Sequence, residues 1–226
     1  MAALIFELSK VEMPIVRAAM LGHLVNIAVD LGERVAAGLG HDAPIVPAAT
    51  TVPARTDLEP SPKLSILAQG PPTLVGRLIG VLVTDGASSE IVGALIDAAK
   101  VAGASLKIVA PRLGGVTLDD GSKLVADFQM AGGPSVLFDT VAVLTSEAGT
   151  TALLGEAAAV AWIHDAFAHL KVIAHSAEAQ PLFDAAGVIT DAGIVPLAAA
   201  DDAATYSELA GAGRIWAREP SVRTVY

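Results

Sequence analysis

From Leu78 onward, the chain alternates short, continuous apolar runs with segments of helical periodicity. Leu78 to Thr84 is an unbroken apolar run, and Asp85-Gly86 then turns into a segment from about 88 to 102 with its apolar residues on one face. Leu106 to Ala110 is the next apolar run. Buried parallel strands read as continuous apolar runs because helices cover both faces of their sheet. The alternation therefore predicts an α/β domain built from right-handed strand–helix–strand units.

The rest of the chain continues this pattern with further strands and helices. The predicted later elements are strands over Val136–Thr145, Lys171–Ala174, Ile194–Pro196 and Arg214–Ala217, helices over Thr150–His169 and Asp201–Ala210, and an edge hairpin over 116–125. Together with the first unit they predict a flavodoxin-like, doubly wound, mainly parallel sheet.

Two segments of different character precede this domain, which we expect to span 77–226. Residues 1–38 are predicted to form a helical arm, because Pro14 suits a first helical turn and Gly38 can end a helix. Residues 39–76 contain seven of the 13 prolines and no aromatic residue, which is typical of an extended surface linker. A connection of this length is expected to wrap a neighbouring body or subunit.

Composition excludes several classes of partner. The formal net charge is −10, and no stretch gathers enough Lys or Arg to neutralise a row of phosphates, so nucleic acid is not an expected partner. Apolar runs such as Ala157 to Ile163 are far shorter than the ~20 residues that span a bilayer, so we expect a cytoplasmic protein without a membrane partner. The absence of cysteine excludes disulfides, thiolate metal sites and thiol nucleophiles.

One turn has the form of an active-site elbow. The run Lys171 to Ala174 ends at His175-Ser176 and gives way to a helix, and such a bend lifts its apex residue above the sheet beside free backbone amides. Ser176 is the candidate nucleophile and His175 the candidate base. Successive residues leaving a strand point to opposite faces, so His175 is poorly placed to activate Ser176. The alternative is that Ser176 shapes the elbow and caps the following helix.

Two further groups of residues are candidate ligand sites. His164 and His169 are five residues apart, which separates them by ~140° around a helix, so we predict no metal site. Residues 85–89, which include Ser88, lie at a helix N-terminus and could hold a small anion. They match neither a dinucleotide-binding motif nor a phosphate-binding loop, so an ordinary strand-to-helix turn is the competing interpretation.

Short strings along the chain identify a family. The strings are Phe6–Val11, Leu31–Gly40, Leu64–Leu67, Gly80–Gly86, Gly132–Leu137, Asp165–His169 and Trp216–Glu219. In this order they resemble the C-terminal third of a large-subunit, haem-dependent catalase. Residues 77–218 also resemble the PfpI-type domain of the class I glutamine-amidotransferase-like superfamily, which such catalases carry behind their core. The resemblance implies that residues 1–38 correspond to the end of a catalase core.

The resemblance also bears on cofactors and partners. The family's haem-site residues are a distal His and Asn and a proximal Tyr preceded by an Arg, and all lie in the core. This chain has only Tyr206 and Tyr226, neither with an Arg four residues earlier, so we predict no haem and no other cofactor here. The implied partners are a catalase core or further copies of this chain, with unfolded client proteins as another class.

The elbow departs from the superfamily's catalytic pattern at every matched position. Catalytic members have Cys at the apex, often followed by His, an acid after the first strand, and a Gly-Gly turn after the middle strand. This chain has Ser176, Ala177, Ser88 and Thr145-Ser146 there. The resemblance thus implies a non-catalytic domain of a peroxide-detoxifying enzyme, with a stabilising, assembly or chaperone-like role. The alternatives are a small hydrolase or glyoxalase-type enzyme using Ser176, and a small-anion binder at the turn after the first strand.

Overall fold

The computed structural model describes residues 1–52, 55, 57–59, 61–65 and 69–222. Several residues used in the predictions lie outside the described residues, namely Pro53, Pro60, Ile66, Leu67 and Tyr226. The chain divides into two compact units, Met1–Gln69 and Gly70–Tyr226. None of the described helices is long and apolar enough to cross a membrane.

The described residues of the first unit form three α-helices, α1 (Ala2–Ser9), α2 (Pro14–Ile27) and α3 (Val29–Gly38), and a 3-10 turn over Pro62–Leu64. Pro14 opens α2 as predicted, and Ala28 separates α2 from α3 in an extended conformation. The segment that follows packs back on α2, because the Ala48 amide donates to the Gly22 carbonyl at 2.9 Å. The core of this unit is small, and its buried apolar side chains among the described residues are Leu8, Leu21, Leu24, Val35 and Ala36.

The second unit is built on a parallel sheet. Its strands are β1 (Leu78–Val83), β2 (Ser105–Ala110), β5 (Phe128–Gln129), β6 (Thr140–Leu144), β7 (Ile173–His175) and β8 (Ile194–Pro196), while β3 (Val116–Thr117) and β4 (Lys123–Leu124) form a separate antiparallel hairpin. The sheet has six strands in the order β5-β2-β1-β6-β7-β8, and each neighbouring pair is parallel.

Helices cover both faces of this sheet. They are α4 (Ser89–Val101), α5 (Glu147–Leu154), α6 (Ala157–Ala168), α7 (Gln180–Ala185), α8 (Asp202–Ala212) and α9 (Glu219–Val222). Apolar residues of α4 and α8 pack on one face, whereas α5, α6 and α7 pack on the other. The chain therefore changes face between β1 and β6, and the predicted flavodoxin-like, doubly wound sheet is confirmed.

Four predicted elements were wrong. The third strand begins at Thr140 and not at Val136, because Ser135–Leu137 forms a 3-10 turn that leaves Val136 half exposed. The long helix over 150–169 is two helices, since the chain turns at Gly155. The predicted edge hairpin lies off the main sheet, whose edge strand is β5, and Trp216–Arg218 is a 3-10 turn where a strand was expected.

Two buried cations stabilise the end of the sheet opposite the elbow, where β7 begins. The Lys171 ammonium is 1% exposed and donates to the Ser135 carbonyl at 2.5 Å. The Arg218 guanidinium forms a bidentate ion pair with Asp191, at 2.6 and 2.8 Å, and also donates to the Lys171 carbonyl. These contacts join the C-terminal segment to the start of β7, which begins two residues later than predicted.

Glycine at position 80 is required by packing. A Cβ there would lie 2.3 Å from the Phe138 ring, so Gly80→Ala is expected to lower the free energy of unfolding by about 1–3 kcal/mol. Gly93→Ala is the matched control on α4, where a Cβ meets no atom within 4 Å and should stabilise by about 0.5–1 kcal/mol. Urea unfolding followed by circular dichroism measures both, and effects of the same sign would contradict this packing.

Stability should depend on the ionisation of Lys171. Burial, with the nearby positive charge of Arg214, lowers the pKa of Lys171 from 10.5 to about 8. The Lys171 side chain binds its proton more tightly in the unfolded chain than in the folded one. Its favourable contribution to the free energy of unfolding is therefore complete above pH 10.5 and is lost as the pH falls toward 8. Relative to Lys171→Met, the wild-type free energy of unfolding is expected to rise between pH 8 and 10.5. For the exposed control Lys100→Met, the free energy of unfolding should change with pH as it does for wild type. A difference in unfolding free energy between wild type and Lys171→Met that does not depend on pH would refute the account.

Candidate functional site

The elbow serine is fastened to the neighbouring strand. Ser176 follows β7 and is 6% exposed. Its hydroxyl donates to the Thr145 carbonyl at 3.1 Å and accepts from the Thr145 amide at 3.2 Å, at the end of β6. The predicted helix cap is wrong, because the Ser176 side chain forms no capping hydrogen bond. The hydroxyl instead bridges the two backbone groups of one residue.

The side chain of the adjacent histidine has partners of its own. The His175 ring packs against the Phe183 ring with centroids 4.6 Å apart. Its Nδ1 lies 2.9 Å from the Ser176 carbonyl oxygen, which assigns the proton to Nδ1, since a carbonyl can only accept. Neither contact places a proton acceptor on the Ser176 hydroxyl. His175 and Ser176 therefore direct their side chains to different partners.

The turn after β1 is occupied by the chain's own groups. Ser88 caps α4, because its hydroxyl accepts from the Ile91 amide at 3.3 Å. The Asp119 carboxylate accepts from the Ser89 amide at 2.8 Å, and this backbone hydrogen bond lowers the pKa of Asp119. A carboxylate of this protein thus sits where a bound anion was hypothesised, which argues against the small-anion alternative.

The turn after β6 is tied to the turn after β1. The Ser146 hydroxyl donates to the Asp85 carbonyl at 2.6 Å and accepts from the Gly149 amide at 3.0 Å. The Ser146 amide donates to the Thr84 hydroxyl at 3.1 Å. Sequence reasoning placed Thr145-Ser146 at an oxyanion-binding position but missed the bonds to Asp85 and Thr84, because these two residues lie some 60 residues away along the chain.

These turns line a cavity of about 560 Å³ at the carboxyl ends of the strands. Ser88, Ser146 and Ser176 line it, so the structure brings the predicted Ser88 and Ser176 together, whereas His175 is not among the described lining residues. The carboxylates that line it are those of Asp119, Glu147 and Glu178. The described lining offers hydroxyls and carboxylates, but no base in contact with the elbow hydroxyl.

The described residues include side chains that were considered above as ligands. They contain no group of three or more His, Asp or Glu side chains placed to hold a metal ion. His164, one of the histidines considered above, directs Nδ1 to the Ala186 carbonyl at 3.1 Å. Tyr206 is completely buried with its hydroxyl 3.0 Å from that of Thr140, and burial raises the Tyr206 pKa far above its usual range. It is therefore unsuited to serve as a tyrosinate ligand.

Curated relatives of this chain are catalases. Catalase C from Rhizobium meliloti is 43% identical over 223 residues, which are 98% of this chain and 32% of that protein. Catalase HPII from Pseudomonas aeruginosa is 32% identical over 228 residues, which are 99% of this chain and 31% of that protein. The chain thus spans about a third of the length of the curated relatives it matches, and it corresponds to their C-terminal part. No family model matches the chain.

Solved structures with a similar fold are DJ-1 and ThiJ/PfpI domains. Drosophila melanogaster DJ-1beta has a TM-score of 0.53 at 15% identity and covers 66% of this chain and 96% of its own. A ThiJ/PfpI family protein from Pseudomonas syringae has a TM-score of 0.53 at 17% identity, over 74% of this chain and 81% of its own. At these identities the likeness concerns the fold alone, and it confirms the predicted PfpI-type architecture. The chain is homologous to the C-terminal region of large-subunit catalases and has a DJ-1/ThiJ/PfpI-like fold.

Proposed function

We propose that this chain is a non-catalytic module that stabilises and assembles a large-subunit catalase. The observation that carries the proposal is the Ser176 hydroxyl, which uses its proton and a lone pair on the backbone of Thr145. A serine nucleophile needs an adjacent base to remove its proton, and here that proton is directed to a carbonyl. The hydroxyl therefore serves as a cross-strand tie.

The first unit supports the assembly part of the proposal. Val16, Met20 and Ile27 lie within about 40° of one another around α2 and are 45%, 41% and 74% exposed. An apolar stripe of this kind on a small helical unit is typical of a surface that contacts another protein. The relatives are about three times longer than this chain, so we assign this surface to the remainder of a catalase subunit.

Two other roles compete with this one. A hydrolase or glyoxalase-type activity has the 560 Å³ cavity in its favour, but its nucleophile would have to be released from Thr145. A chaperone-like role toward unfolded clients has the exposed apolar stripe in its favour. Suppression of the heat-induced aggregation of an unrelated protein at equimolar ratio would support that role over assembly.

Removing the elbow hydroxyl should affect stability and leave reactivity unchanged. Ser176→Ala leaves the buried amide and carbonyl of Thr145 without this partner, so we expect the free energy of unfolding to fall by about 1–3 kcal/mol. Ser207→Ala is the matched control, since the Ser207 hydroxyl is buried without a hydrogen-bond partner among the described residues and should be nearly neutral. Urea unfolding is combined with assays of p-nitrophenyl acetate hydrolysis and methylglyoxal turnover. An activity abolished by Ser176→Ala would overturn the proposal.

Assembly can be tested by complementation. Catalase C from Rhizobium meliloti is produced without the third of its length that this chain matches, and this chain is co-expressed with it. We expect the two to co-purify and the catalase activity to survive heating longer than without this chain. The double variant Met20→Glu, Ile27→Glu should weaken association, whereas Val101→Glu, at an 89% exposed position of α4, should not. Failure to co-purify, with unchanged heat resistance, would refute assembly.

A further inference from the structure

The crevice where the chain changes face is divided in two. In open parallel sheets, ligands bind at the carboxyl edge where strand order reverses, which here is between β1 and β6. Ser146 bonds across that point to Asp85 and Thr84, and a Cβ at Gly149 would lie only 2.0 Å from the Thr84 hydroxyl. The elbow cavity lies on one side of this wall. On the other side, a second cavity of about 450 Å³ lies between α5 and the loop after β2.

One end of this second cavity carries a guanidinium. Arg112 donates to the Asp85 carboxylate at 3.2 Å, and the second oxygen of Asp85 accepts from the Thr117 amide at 2.8 Å. The Arg112 and Asp85 side chains are 77% and 57% exposed, so their ion pair contributes little. The remaining Arg112 donors have no partner among the described residues. Most N–H groups of the Arg112 guanidinium are therefore available to a carboxylate at the mouth of the cavity.

The other end carries a carboxylate. Glu156 lines the cavity and its side chain has no hydrogen-bond or ion-pair partner among the described residues. It follows Gly149, which packs on Thr84 beside Asp85, by seven residues. From Gly149 to its last residue, Leu154, α5 rises about 7.5 Å, and Glu156 lies two residues beyond that end of the helix. The wall between the two ends is apolar and includes Val116, Ala152 and Leu153.

We propose that this cavity binds a linear ω-amino carboxylate. Its carboxylate would pair with Arg112, its ammonium with Glu156, and its hydrocarbon chain would cover Val116, Ala152 and Leu153. The volume of about 450 Å³ is within the range of small-molecule sites. A short apolar peptide with free termini presents the same charges at a similar separation and is the second source of this chemistry. The proposal is independent of the assembly role, because neither Arg112 nor Glu156 belongs to the first unit or to the elbow.

Isothermal titration of the full chain with 8-aminooctanoate tests the proposal, because its two charges lie roughly 10 Å apart when extended. We expect one site per chain, with affinity at least about tenfold higher than for octanoate, octylamine or 4-aminobutanoate, each of which lacks one charge or the length. Trialanine distinguishes the sources, since a peptide site should bind it at least as tightly as 8-aminooctanoate.

Variants locate the site. Arg112→Gln and Glu156→Gln should each weaken binding by about tenfold or more, and Ala152→Leu should block it by filling the cavity. Glu147→Gln, on the same helix but lining the elbow cavity, is the matched control and should bind like wild type. Circular dichroism verifies that each variant is folded. No binding of either probe at millimolar concentration, or binding that Arg112→Gln and Glu156→Gln leave unchanged, would overturn the proposal.

Discussion

Side-chain hydroxyls bonded to backbone groups hold the carboxyl edge of this sheet together. Ser176 ties β7 to β6 through Thr145, and Ser146 ties the end of β6 to the end of β1 through Asp85. Thr150 adds a third tie, to the carbonyl of Glu178 at 2.8 Å. In an α/β fold this edge is where the chain could leave backbone groups free for a substrate. Here hydroxyls of the chain itself bond to such backbone groups.

The closed edge also shapes the surfaces that remain. The tie at Ser146 separates two cavities of similar volume with different chemistry. The elbow cavity is lined by hydroxyls and carboxylates, whereas its neighbour has an apolar wall with a cation at one end and an anion at the other. The homology to catalases extends over both units.

The sequence predicted best where one local signal decides the structure. β1 and α4 were placed within about a residue, because a continuous apolar run is followed by a capping serine at Ser88 and a single apolar face. The start of β6 was missed, since Val136 looks apolar enough for a strand although the chain turns there. The two-residue strand β5 is too short for any periodicity to show.

Some features of the candidate site could likewise be predicted from local sequence, and others could not. The apex position of Ser176 and the opposed direction of His175 follow from strand alternation alone. The partner of Ser176 could not be predicted, because Thr145 is 31 residues away and offers only backbone atoms, which every residue has. The same applies to Asp119, whose contact with the Ser89 amide spans 30 residues. Such contacts depend on how the turns pack together, and no residue type in the sequence indicates them.

The central claim is that Ser176 is a structural tie and not a nucleophile. The most direct measurement is intact-mass spectrometry after exposure of the full chain to a fluorophosphonate, which reacts with activated serine hydroxyls and spares unactivated ones. The account predicts an unchanged mass for both wild type and Ser176→Ala. A single adduct on wild type that maps to Ser176 and is absent from Ser176→Ala would contradict it.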